Sequence, residues 1–216
     1  MGAQMNRSCV ALLLITVAAL VRTAATQPLI VDLTPERVGE ALALAADEAA
    51  ARKMLEAYTV QTRAGWGKGP LLGGFSTPFS RVVQAALAAR KNGRTLTAAD
   101  ISSDLLAPEL HVVALSQRSA NLEEMARVRT VALAERGTLN AAGARIEPAR
   151  IVELNTEYQT KYGTTFQGSG LVAIFPLRSV PPQAQIRIIY DRLVQGSSPS
   201  ATCQECVVGL DLSKIR

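Results

Sequence analysis

Two spacings of apolar residues divide the chain. In the first half, apolar positions recur every three or four residues, the period of one helix face. Val38, Leu42 and Ala45 share such a face, and Met54, Leu55 and Tyr58 share another. The stretch DLTPERVGEAL supplies a helix start, with Thr34 as N-cap, Pro35 at the first helical position and Glu36 in the first turn. A hydroxyl acceptor and a negative charge both suit the unpaired N–H groups there. Leu33 and Val38 flank the cap where a hydrophobic staple would form. Asp47 can cap the chain a second time, so the pattern predicts one bent helix or two short ones over residues 35–62.

The same grammar returns further on. Thr77 caps, Pro78 opens, and Val82, Val83, Ala86 and Leu87 form an apolar stripe that ends at Asn92-Gly93, with glycine where a left-handed residue closes a helix. Thr97 starts a further short helix, TAADISSDLL, which must stop near Pro108.

Beyond Pro108 the texture changes to short β-branched runs: LHVVALSQ, VRTVALA, ARIVELN, GLVAIFPL, QIRIIYDRLV and VVGLDLSKI. Turn residues separate them: Arg136-Gly137, Ala142-Gly143, Gly168-Ser169-Gly170, Pro181-Pro182 and GSSPS. In the last run Val208, Leu210 and Leu212 alternate with Val207, Gly209 and Asp211, the period-two mark of a sheet face. The expected class is α+β, with N-terminal helices packed on a C-terminal antiparallel β-sandwich, of which the immunoglobulin-like arrangement is one form. A single sheet covered by the helices competes with it. The implied division is a helical segment over 26–108 and a sandwich over 109–216. Pro148 demotes its neighbourhood to an edge or a loop.

Residues 1–25 fit a secretory signal peptide. Arg7 supplies the positive end, residues 10–21 form an uncharged apolar run, and Thr23-Ala24-Ala25 suits a small-x-small cleavage site. The run is shorter than the roughly 20 residues that span a bilayer; an uncleaved anchor is the alternative. Export to a periplasm or to the exterior is therefore expected, with no stable membrane span after cleavage. Losing Arg7 and Arg22 leaves 21 basic residues against 18 acidic ones. That slight excess, without a basic block and with few aromatics, argues against nucleic-acid binding.

The glycine-rich stretch GWGKGPLLGGFSTPF, residues 65–79, tests for phosphate chemistry. A phosphate loop needs lysine after its last glycine, and Phe75 stands there. The dinucleotide fingerprint fails as well, since Leu72 occupies its third glycine position. An inter-helix loop anchored by Trp66, Leu71, Leu72 and Phe75 is expected. Its functional version is a contact surface made by Trp66, Lys68 and Phe75.

Cys203 and Cys206, in CQEC, are the cysteines beyond the leader. A thioredoxin-like site needs this spacing at a helix start, and zinc needs more ligands than the pair and the lone His111 provide. A local disulfide in an oxidising compartment is the expectation. No metal and no cofactor are implied. His111 lies in a strand pattern and Ser169 in QGSGL lacks the nucleophile-elbow spacing, so nucleophilic catalysis is not indicated. Glu123-Glu124 suits a solvated turn. Glu153, Glu157 and Asp191 could serve as paired carboxylates for a histidine-independent hydrolase of carbohydrate-like substrates. The leading expectation is an exported, non-enzymatic binding or envelope-associated protein with an unidentified protein or envelope partner.

Overall fold

A computed structural model describes residues 32–63, 70–118, 124–135, 145–159, 165–192 and 202–212. The expected signal peptide, Trp66 and Lys68 lie outside these residues.

Helix α1 (Pro35–Ala46) starts as its sequence dictates: the Thr34 hydroxyl accepts the Arg37 N–H, and Val38, Ala41 and Ala45 face inward. Asp47 ends α1 and caps α2 (Glu48–Glu56) by accepting the Ala50 N–H at 3.1 Å. The helical period stops there, short of the expected residue 62. Thr59–Arg63 is strand β1, which pairs antiparallel with β2 (Pro70–Ser76), Thr59 opposite Gly74. Residues 70–76 of the glycine-rich stretch thus form a strand and not a loop between two helices. The β-branched Thr59, Val60 and Thr62 favour extended backbone, and this overrides the helical spacing that reaches Tyr58.

Helix α3 (Pro78–Lys91) follows β2 directly. Thr77 and Ser80 cap each other's backbone in a capping box. The end is a Schellman closure: Gly93 has φ 70°, its N–H donates to the Arg90 carbonyl, and the Arg94 N–H donates to that of Ala89. The helix expected after Thr97 is split into a 3-10 turn (Ala98–Asp100) and α4 (Ser103–Leu106).

The remaining strands are β3 (Glu109–Leu115), β4 (Gln117–Arg118), β5 (Glu124–Glu135), β6 (Arg150–Gln159), β7 (Thr165–Pro176), β8 (Gln183–Arg192) and β9 (Thr202–Asp211). Among the described residues they form two antiparallel sheets, ordered β1-β2-β3-β7-β6 and β4-β5-β8-β9. The protein is α+β. Because β1 and β2 join the first sheet through β3, residues 59–63 and 70–76 belong to the β body, although they fall in the segment expected to be helical.

Leu110, Val112, Leu171, Ala173 and Phe175 of the five-stranded sheet share one apolar cluster with Val131, Leu133, Ile186 and Ile188 of the four-stranded sheet. A second cluster lies among the helices, built from Val38, Ala41, Phe79, Val82, Val83 and Ala86. Met54 packs against both. No helix among the described residues is long and apolar enough to cross a membrane.

Candidate functional site

A buried charged group sits where α3 meets the start of β3. Arg81 lies in the buried stripe of α3 and is only 7% exposed. Its guanidinium donates to three carbonyls: Nε to Leu105 at 3.2 Å, Nη1 to Glu109 at 2.8 Å, and Nη2 to Ala107. The flat fork of arginine suits this, because its N–H groups diverge in one plane. Those carbonyls belong to the end of α4, the following bend and the first residue of β3. Burial pushes the Arg81 guanidinium below its ordinary value, and the nearby Glu109 charge opposes that shift.

Glu109 and His111 are two residues apart on β3 and so share a face. His111 Nε2 donates to the Glu109 carboxylate at 3.1 Å. On that row of the sheet, His111 stands opposite Ser76 on one side and Ile174 on the other, and Arg150 of β6 stands opposite Ile174. Burial lowers the imidazole below its ordinary value. The bond to Glu109 works against this, while the positive charges of Arg81 and Arg150 add to it. The imidazole is therefore held neutral over a wider pH range than a free one.

A second feature is the edge strand β6. Ile151 and Val152 are 45% and 42% exposed, and they are the large hydrophobic residues exposed among the described ones. They are adjacent and so project from opposite faces of the strand. β6 ends the order of the five-stranded sheet. Separately, Leu55, Leu87 and Ala88 line a shallow groove between α2 and α3, with Glu48, Arg52 and Lys91 around it.

The residues picked out from sequence do not converge. Phe75 is buried, and its ring lies 5.0 Å from that of Tyr58. It is an anchor within the core and offers no surface to a partner. Ser169, expected in a turn, lies in β7 opposite Asn155, and its hydroxyl is 2.8 Å from that of Ser116. Glu153 and Glu157 are both on exposed β6. Four strand residues separate them by about 13 Å of backbone, more than the carboxyl spacing of glycoside hydrolysis. Asp191 lies in the other sheet and accepts from Arg129 Nε at 3.0 Å. Glu124 opens β5, and Glu123 falls outside the described residues.

Cys203 and Cys206 both lie in β9, opposite Asp191 and Ile188. Residues three apart on an extended strand are about 10 Å apart. A disulfide requires Cα atoms closer than about 7 Å. While β9 keeps this pairing, the two residues cannot be bridged to each other.

Sequence reading missed Arg81, Glu109 and Arg150. The available signal was a charged residue beside Val82 and Val83 in an otherwise apolar stripe. The three carbonyls it binds lie 24 to 28 residues away, and no local pattern announces them. No protein-family model matches the chain, and no curated protein or solved structure matches it.

Proposed function

We propose that the chain is an exported, non-enzymatic binding protein of the cell envelope that takes up an extended segment of a partner protein along β6. The single observation that carries this is the exposure of Ile151 and Val152 on a strand that ends its sheet. An edge strand presents unpaired N–H and C=O groups, a template for an added strand, and proteins usually blunt such edges with charge or proline. On β6 Arg150, Glu153 and Glu157 supply charge, yet the adjacent β-branched Ile151 and Val152 stay exposed between them. The leader-like residues 1–25 support delivery to a periplasm or the exterior. We also read the two sheets as the layers of a β-sandwich, of the broadly immunoglobulin-like kind. The support is their shared apolar cluster and a chain that changes sheet after β3, after β5 and after β7.

The test places a photo-crosslinking amino acid at Val152 in cells expressing the full chain, with a control at exposed Glu36. The expected result is one discrete hetero-adduct from position 152, absent from position 36 and lost in an Ile151→Lys background. No adduct at 152, or an adduct only with a second copy of this chain, overturns the reading. Mass analysis of the mature protein should show residues 1–25 removed.

A further inference from the structure

The helical cluster is fastened to the sheet at a place where charge is poorly balanced. Arg81 cannot turn to solvent without releasing the carbonyls of Leu105, Ala107 and Glu109. The same Glu109 offers its carboxylate to His111, which lies in the same row of the sheet as Arg150, two strands away. Around the imidazole, α3 contributes Arg81, β3 contributes Glu109 and β6 contributes Arg150. Its neighbours on β2 and β7 are the uncharged Ser76 and Ile174. Among the described residues, two cations therefore face one carboxylate while the imidazole is neutral.

We propose that this junction is an acid-responsive joint, in which protonation of His111 opens the Arg81 clasp and loosens α1 and α3 from the five-stranded sheet. A third positive charge in a half-buried place must be relieved somewhere. Arg150 is exposed, and water and salt screen it. Glu109 holds the new imidazolium more firmly than the neutral ring, because both partners are then charged. Arg81 is the member left with neutral acceptors only, and desolvation has already weakened its hold on charge. Its release frees α3 from the bend that leads into β3. The helical cluster then opens as a unit, as subglobal segments do when a few fastening contacts are lost. The joint draws on Arg150 at the start of β6 but not on Ile151 or Val152, so a failed crosslink at Val152 leaves the exchange experiment able to decide it.

Hydrogen exchange followed by mass spectrometry tests this on the mature chain at pH 7.5 and pH 5.0, corrected for intrinsic exchange rates. Protection in α1 and α3 should fall at least tenfold relative to β3 and β7 at the lower pH. In His111→Gln, a neutral side chain of similar reach, that differential loss should vanish. In Glu109→Gln, which removes the carboxylate favouring the imidazolium, the midpoint should move to lower pH. Unchanged helical protection in the wild type, or an equal loss in a folded His111→Gln, overturns the proposal. If His111→Gln does not fold, the midpoint of Glu109→Gln decides, and an unmoved midpoint overturns it.

Discussion

The hydroxyls of Ser116 and Ser169 lie 2.8 Å apart, at the point where the chain leaves β3 and crosses to β4 in the other sheet. Ser116 is buried. Its N–H donates to the Ser169 carbonyl at 3.0 Å, and its hydroxyl accepts the Val128 N–H at 3.3 Å. One small side chain thus ties β3, β5 and β7 together. Ser116→Ala should lower stability by about 1–3 kcal/mol, because it strips a partner from buried polar groups. Urea unfolding should show a lower midpoint with an unchanged slope.

The Arg81 clasp predicts a severe effect from a substitution usually counted as mild. Arg81→Lys keeps the charge but replaces a planar fork by a point donor that cannot reach three carbonyls on different residues. A loss of about 2–3 kcal/mol is expected, the cost of leaving buried carbonyls unpaired. Arg52→Lys, on an exposed residue paired with Glu48 at one turn's spacing, should change stability by less than about 0.5 kcal/mol. Thermal or urea unfolding of the two variants side by side gives the comparison.

These two residues also mark the limit of what local chemistry reveals. The caps at Thr34, Asp47, Thr77 and Gly93 are readable because a helix end is completed by residues within one turn of it. The β3, β7 and β8 runs are readable because β-branched residues bounded by turn formers favour strands. The β1–β2 pair is not. Gly73 and Gly74 weaken a strand by themselves, and pairing with Val60 and Thr59 on one side and Ala114 and Val113 on the other holds them extended. Arg81 and Ser116 find their partners through tertiary contacts far along the chain, which no periodicity encodes. Of the candidate site, His111 was legible as a strand histidine, but its charged surroundings were not.

Two glycines should respond in opposite directions to the same substitution. Gly39 is in α1, and an added Cβ would meet nothing within 4 Å. Gly39→Ala should stabilise the protein by about 0.5–1 kcal/mol, the usual helix preference for alanine. At Gly170 an added Cβ would lie 2.8 Å from the Ala114 carbonyl oxygen and 2.8 Å from Leu115 Cδ2. The oxygen belongs to the neighbouring strand's backbone and cannot swing aside. Gly170→Ala should destabilise by about 1–3 kcal/mol, as overpacking does. Differential scanning calorimetry reads both signs.

The global stability curve should have an acid shoulder set by His111. Its folded value lies below the ordinary 6.5, so the unfolded chain takes up the proton first. Above 6.5 both states are neutral and the group contributes nothing. As the pH falls through 6.5 toward the folded value, the unfolded state binds more protons and stability declines. Glu36, Glu48 and Asp100 are held below their ordinary 4.5, 4.5 and 3.8 by hydrogen bonds. Their contributions are present above those values and are lost only in stronger acid. Urea unfolding between pH 8 and pH 5 should therefore slope in the wild type and flatten in His111→Gln. Equal slopes would show that burial at His111 carries no linkage.

The cysteines set the proposed export of the protein against the register of its last strand. An oxidising compartment favours bonding the Cys203–Cys206 pair, while β9 holds these residues opposite Asp191 and Ile188 along one continuous strand. Both demands cannot be met. A ring closed over so few residues also removes little entropy from the unfolded chain, so the crosslink supplies little to offset lost ladder bonds. The register predicts that the mature protein, unfolded without reductant and alkylated, gains two alkyl groups, one at each cysteine. A mass with neither residue alkylated, together with a linked Cys203–Cys206 peptide, would mean that β9 is broken between them and that the pairing with β8 begins only beyond Cys206.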